Sequence, residues 1–417
     1  MTKNSDRRNI LIIHQHFCPP GGFGNNRSLE VAKHLIALGH SVTILTGSGN
    51  YVEQPEYLFT SSTVEGIDID CIRVPYNHHM SYVNRIWSFI SFFILSCLRV
   101  WKYKKQVDVV YAISTPLSIG LAGLWYQAIL KKPMIFEIGD LWPDVPIQMG
   151  IIKNKLLIKI LYSIEQTVYK KSKHIVLLSE GMREYLLKKN IPAEKITVLC
   201  NGTNTQQFVP AIDKAALRNQ YQIANYTFIV LYAGTMGVAN GLEFFIDTAA
   251  TIQQKENTRI QFYFIGNGNR LAAIQSYAKT KNIVNITFIE SLPKDQVVDY
   301  FKMADVGIVS FDSFKILETN SANKYYDYLA SGLPVLINYK GWQKSALEKN
   351  VCGFSVSTAT AAADTFVNLV SDPDRYQRMS YAARALAEKE YDRKDISLQL
   401  SELILQHSQV VVYNPKV

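Results

Sequence analysis

Cysteine is scarce in this chain of 417 residues: there are five, Cys18, Cys71, Cys97, Cys200 and Cys352, odd in number and never spaced CxxC. That scatter argues against a disulfide framework and against a thiolate metal site. Charge is sparse as well, 19% of residues against 48% hydrophobic, and no low-complexity tract interrupts the chain, so extended disorder is excluded. Mean hydropathy is close to zero. No uninterrupted apolar run reaches the ~20 residues of a spanning helix, so a multi-span membrane protein is excluded too. The apolar stretch after Arg8 carries histidines and is too short for a secretory core, which places the expected location in the cytoplasm.

A dinucleotide fingerprint is also missing. Gly266-Asn-Gly268-Asn-Arg-Leu lacks the third glycine of GxGxxG, and the strand SVTILTG ends without an acidic residue for a ribose. Nicotinamide chemistry is therefore not expected.

What charge there is lies unevenly. Residues 1–200 hold 23 Lys/Arg against 15 Asp/Glu, whereas the remainder holds 21 against 20. A basic first half fits an anionic membrane surface better than an evenly solvated face. No nucleic-acid partner is expected.

Apolar runs alternate with helix-length segments along most of the chain. Residues 9–17 read as a buried strand, PPGGFGNN as a glycine-rich turn, and residues 27–38 as a helix ending at Gly39. DVVYAIS, PMIFEIGD, HIVLLSE and KITVLCNG continue the strand series. After CNGTNTQQFVP, rich in turn residues, the alternation restarts with TFIVLYAG, RIQFYFIGNG, ITFIES, DVGIVSF and LPVLINY. Strands alternating with helices predict parallel, doubly wound sheets. The expected organisation is an α/β protein with a Rossmann-like domain over 1–200, a linker region over 201–225, a second Rossmann-like domain over 226–390 and a terminal helix and tail over 391–417.

Residues 86–100 are apolar apart from serines, a cysteine and Arg99. Trp87 and Trp101 flank the run, and Lys102, Lys104 and Lys105 close it, which is the pattern of a helix lying in a bilayer interface. The alternative is a fully buried core helix.

Ligands of open parallel sheets gather at the carboxyl ends of strands. Gly21 and Gly22 follow the first strand, and Arg27 begins the next helix, a candidate seat for an anionic group. In SFDSFKILETNSANKYYDYLASGLPVLI, Ser321, Ala322 and Asn323 open a helix with unpaired backbone donors. Lys324 adds a charge for a diphosphate, and Asp327 is placed to accept from ribose hydroxyls. Past the strand FEIGD, Asp140 is a candidate to hold or deprotonate an acceptor hydroxyl and Trp142 to stack on a sugar, with Glu137 on the same strand either facing the cleft floor as an acceptor-side candidate or paired in the core.

DYLASGLPVL resembles the EAxAxGxPVV signature of glycosyltransferase family 4, the retaining enzymes of GT-B fold. CNGTNTQQFVP is similar to the family's PNGVDxxxFxP linker, FIGNGNRL to its xGxGPxxxxL turn and YFKMADVGIVSF to its YxxADVxxxPS strand. FEIGDLWPD and VLLSEGMREYL resemble the branch containing L-fucosamine transferases that act on lipid-linked sugars. The resemblance implies two Rossmann-like domains facing across a cleft and a nucleotide-sugar donor, UDP-linked, which is a substrate, so that no cofactor and no metal is needed. It also implies a lipid-linked saccharide acceptor of O-antigen or capsule synthesis, a sugar such as N-acetyl-L-fucosamine, and work at the inner face of the cell membrane. Two departures stand out. The family's Glu-x7-Glu pair falls on Thr319 and Asp327, with Glu318 one residue out of register, and its diphosphate-binding Arg and Lys fall on Thr235 and Asn240. A sugar-nucleotide epimerase and a non-catalytic partner subunit are the alternative readings.

Overall fold

The computed structural model describes residues 7–19, 27–50, 55–76, 80–104 and 106–408. Contacts divide the chain into two compact units. One runs to Leu199 and takes in the chain from Lys394 onward; the other is Cys200–Arg393.

The first unit carries eight strands: β1 (Asn9–Ile13), β2 (Ser41–Gly47), β3 (Phe59–Val64), β4 (Ile67–Ile72), β5 (Val109–Ile113), β6 (Met134–Ile138), β7 (His174–Leu177) and β8 (Ile196–Val198). They form one sheet in the order β3-β4-β2-β1-β5-β6-β7-β8, parallel except where β3 meets β4. The central strands are apolar along their whole length, and β5 and β6 are buried at every position, because helices cover both faces of a parallel sheet. The β3–β4 hairpin is additional to the strands expected from the sequence. Its turn residues Glu65 and Gly66 both take positive φ, 52° and 79°, the primed geometry that matches strand twist.

Three helices of this unit matter for function: α1 (Arg27–Ala37), α2 (Tyr82–Arg99) and α3 (Ser118–Leu130). Ser81 caps α2 by accepting from the Asn84 amide. α2 packs on α3, and α3 on the helix Lys155–Lys171.

The second unit has six strands, β9 (Phe228–Ala233), β10 (Ile260–Ile265), β11 (Ile286–Ile289), β12 (Val306–Val309), β13 (Val335–Ile337) and β14 (Gly353–Ser355), all parallel in the order β11-β10-β9-β12-β13-β14. Residues 201–225, expected as a linker region, belong to this unit. Their helix Lys214–Gln220 buries Arg218, whose guanidinium donates to the Met303, Asn225 and Thr227 carbonyls and pairs with Asp305 at 2.7 Å. The terminal helix Arg393–Ser408 buries Ile396, Leu400 and Ile404, and from Lys394 it is part of the first unit.

Candidate functional site

Each sheet has one place where the chain reverses its direction of strand addition: between β1 and β5 in the first unit, and between β9 and β12 in the second. Outside the carboxyl ends of strands at such a point lies the crevice in which open α/β sheets bind ligands.

In the second unit the crevice is built from backbone. Gly234 follows β9 with φ +148°, and a Cβ there would come within 2.9 Å of the Lys324 side chain. Gly266 and Gly268, after β10, lie so close to the Gly234 and Met236 carbonyls that no Cβ fits at either. These glycines of FIGNGN therefore let two turns touch. Against this floor stands the helix Asn323–Ala330, whose cap residue Ala322 offers no side-chain hydrogen bond, so the first-turn amides have no side-chain acceptor there. Lys324 sits in that first turn. Its Nζ donates to the Tyr232 hydroxyl at 2.8 Å and lies 4.0 Å from the centre of the ring. Burial pushes its ammonium down to about 7. Among the described residues no carboxylate pairs with it.

The neighbouring candidates are held by the fold. Asp327 Oδ1 accepts from the Thr203 hydroxyl at 2.6 Å. Ser321 shares a hydrogen bond with the Tyr326 hydroxyl, and its carbonyl accepts from Asn201. Asn323 is exposed at the helix start. Thr319 donates to the Ile316 carbonyl, Asn240 accepts from the Gly237 amide, and the Thr235 carbonyl accepts from Tyr232. Glu318 lines a cavity of about 850 Å³ with Arg270, Asn338 and Lys340. Lys324 and Asp327 are not among that cavity's walls.

In the first unit, Asp140 follows β6 and accepts from the Thr115 hydroxyl at 3.2 Å; burial raises its carboxyl above the usual range. Trp142 meets Phe89 of α2 edge to face, with ring centres 6.4 Å apart. Phe89 stacks on Tyr76, and Tyr76 lies 4.3 Å from His16, so an aromatic cluster runs from α2 across the carboxyl edge of the sheet. His16, Tyr76 and Phe89 carry no motif of their own, and only the topology brings them together.

One assignment from the sequence is corrected, and one alternative is decided. Arg27, expected at the donor, is buried and pairs with Glu137 at 2.9 Å, while its second amino group donates to the Leu199 carbonyl. Glu137 takes the core reading and not the acceptor-side one: it is 1% exposed and also accepts from the Tyr111 hydroxyl. Both sit in the core because opposite charges at those depths satisfy one another. Gly21, Gly22 and Lys105 lie outside the described residues.

α2 is not the buried core helix that was the alternative reading. Ser88, Phe92, Ser96 and Val100 face the domain, whereas Val83, Ile86, Trp87, Ile90, Ile94, Leu98 and Trp101 face out, Trp87 at 63% exposure. The segment Val83–Tyr103, of 21 residues, is long and apolar enough to cross a membrane by length and composition, more than its sequence reading allowed. Its inner side is nevertheless tied to the domain: Tyr126 donates to the Ser96 carbonyl, Trp125 to the Cys97 carbonyl, and Arg99 forms two bonds to Asp70. Lys102 also pairs with buried Asp70, at 3.1 Å, and so is partly structural, while Lys104 lies over the Trp101 ring.

Comparison with known proteins agrees with this architecture. Residues 21–207 match Glycosyltransferase Family 4, and residues 213–386 match Glycosyl transferases group 1. The chain is 22% identical over 316 residues to a putative colanic acid biosynthesis glycosyl transferase, WcaI, of Escherichia coli, covering 74% of this chain and 75% of that one. It is also 22% identical over 322 residues to the alpha-monoglucosyldiacylglycerol synthase of Streptococcus pneumoniae, covering 76% and 67%. Among solved structures, Anabaena HepE in complex with UDP-glucose superposes with a TM-score of 0.71 at 14% identity, covering 96% of this chain and all of that one. With both units matched in order and the fold shared, the chain belongs to glycosyltransferase family 4 and is a glycosyltransferase of GT-B fold.

Proposed function

We propose that the enzyme transfers a sugar from a UDP-linked donor to a lipid-linked saccharide during surface polysaccharide synthesis, of O-antigen or capsule type, at an anionic membrane surface on the cytoplasmic side. The observation that carries the donor is Lys324, which has no carboxylate partner among the described residues and stands in the first turn of a helix that has no side-chain cap, at the switch point of the second sheet. A diphosphate supplies the missing counter-charge and accepts from the helix amides. The absence of the family's Arg and Lys, at Thr235 and Asn240, concentrates that task on Lys324. Asp327, aligned by Thr203, is the ribose acceptor. Relatives named for colanic acid biosynthesis and for a glycolipid, and a neighbour that holds UDP-glucose, support the same substrate classes.

The reaction retains anomeric configuration without a metal: helix amides and Lys324 stabilise the leaving diphosphate, whose oxygen helps take the acceptor proton. Asp140 holds the acceptor hydroxyl, and Trp142 packs on its sugar. The outward apolar face of α2 supports the membrane location. So do Trp125 on α3 and Leu156, Leu157 and Ile160 on the neighbouring helix, which are exposed on the same three-helix layer.

A panel of sugar nucleotides, UDP-N-acetyl-L-fucosamine first, tests the donor. At 100 times its dissociation constant the true donor adds about 2.7 kcal/mol to stability. Transfer of its labelled sugar into a lipid extract by the purified chain tests the rest. If no sugar nucleotide stabilises the protein, the donor site is wrong; if one does but nothing is transferred, the chain is a binding subunit.

A further inference from the structure

The lysines of the first unit are not all accounted for by ion pairs. Lys33 pairs with Glu65, Lys102 with Asp70, and Lys189 with Asp144 and Glu165. At the amino ends of β6 and β7 the balance fails. A cavity of about 700 Å³ there is lined by Lys131, Lys132, Lys171, Lys173 and Lys195, with Glu194 the one acidic residue in its wall. Lys132 reaches Asp108 at 3.4 Å, and Lys195 donates to the Lys170 carbonyl at 2.6 Å; among the described residues no carboxylate pairs with Lys131, Lys171 or Lys173. Two imidazoles complete the wall. His174 at the start of β7 and His407 of the terminal helix stack with ring centres 4.6 Å apart.

Lysines at helix carboxyl ends have a plain reason to be there, since a cation offsets the helix dipole. α3 ends at Lys131 and its neighbour at Lys171, and Lys195 already meets the carbonyl of Lys170. Two or three cations serve those ends. The remaining lysines raise the positive charge further, and burial together with the neighbouring cations lowers the basicity of His174, His407 and Lys195, so the two imidazoles add no charge of their own near neutrality. Such a cluster is at odds with itself until an anion enters.

We propose that this pocket is a second ligand site, which binds a phosphorylated group through Lys131, Lys171, Lys173 and the His174–His407 pair. It is distinct from the acceptor region. Asp140 and Trp142 follow the carboxyl end of β6, whereas the pocket lies at its amino end, roughly 15 Å of extended strand away. It also lies at the foot of α3 and the Lys155–Lys171 helix, the layer whose outer side is apolar, so the phosphate has two sources: a soluble phosphate compound or the headgroup of a lipid.

Proton NMR of the histidine ring signals follows the site directly. Inorganic pyrophosphate, and separately vesicles containing phosphatidic acid, are added to the full-length protein at constant ionic strength. Saturable shifts of the His174 and His407 signals, assigned through His174→Gln and His407→Gln, are expected with at least one probe. Which probe produces them identifies the source. Lys171→Glu/Lys173→Glu, both exposed positions, should weaken that binding tenfold or more, whereas Lys324→Met should leave it unchanged. Absence of a saturable shift with either probe overturns the proposal, as does a shift that survives the double reversal or disappears in Lys324→Met.

Discussion

At the scale of single residues, the decisive distinction is between charges the fold already neutralises and charges it does not. Arg27 and Glu137 neutralise each other in the core. Arg27→Ala is expected to strand a buried carboxylate and lower stability by about 3–5 kcal/mol, measured by urea unfolding. Loss of donor binding at unchanged stability would restore Arg27 to the donor site. Lys324 is the opposite case. Its ammonium titrates at about 7 in the free protein, and a bound diphosphate favours the charged form. Affinity for a UDP-sugar, which has no phosphate proton to lose near neutrality, should therefore be greatest below pH 7. Above pH 7 it should fall, approaching tenfold per unit until the pKa of the complex is passed. Lys324→Arg, which cannot deprotonate, should flatten that profile in a calorimetric titration. A pH-independent wild type would remove Lys324 from the diphosphate. On the acceptor side, Asp140→Asn is expected to reduce turnover about 100-fold while donor affinity stays within twofold. Steady-state rates beside donor titration separate the two, and a wild-type rate would leave Asp140 a purely structural partner of Thr115.

At the scale of elements, legibility followed hydrophobic contrast. Strands buried on both faces, such as β5, β6 and β9, were plain in the sequence because a parallel sheet demands unbroken apolar runs. The β3–β4 hairpin was not: FTSSTV is mostly polar, it sits at a sheet edge, and its turn is Glu-Gly rather than Asn-Gly. β14 spans three residues, too few for any period to register. The Asn323-Lys324 helix start and Asp327 were legible because they lie in one continuous motif. The Phe89–Tyr76–His16 cluster was not, because its members come from three separate stretches of chain. The outer face of α2 was suspected from its composition. That Leu156, Leu157 and Ile160 share the same exposed layer was visible only once α3 was seen between the two helices. Trp87→Glu together with Ile94→Glu should abolish flotation with anionic vesicles while the circular dichroism spectrum stays unchanged, since both side chains face outward. If the double variant floats like the parent, the α2 face is not the lipid contact.

At the scale of the whole molecule, the basic first 200 residues and the near-neutral remainder correspond to different tasks in the proposed function. In those proposals the first unit is to meet membrane and phosphate through its lysines, and the second is to hold a nucleotide with Lys324. The division of the chain has a further consequence, for the order of synthesis. The second unit is one unbroken stretch, Cys200–Arg393, whereas the first is completed by a helix translated nearly two hundred residues after its sheet. On the ribosome, then, the unit begun first is finished last. The side of β7 that His407 covers stays open until the terminal helix emerges. Nascent chains stalled so that Arg393 has just cleared the exit tunnel should yield a protease-resistant second unit and a cleavable first one, and release of the last residues should protect both. Equal resistance of the two units before that helix emerges would show that the first closes without it.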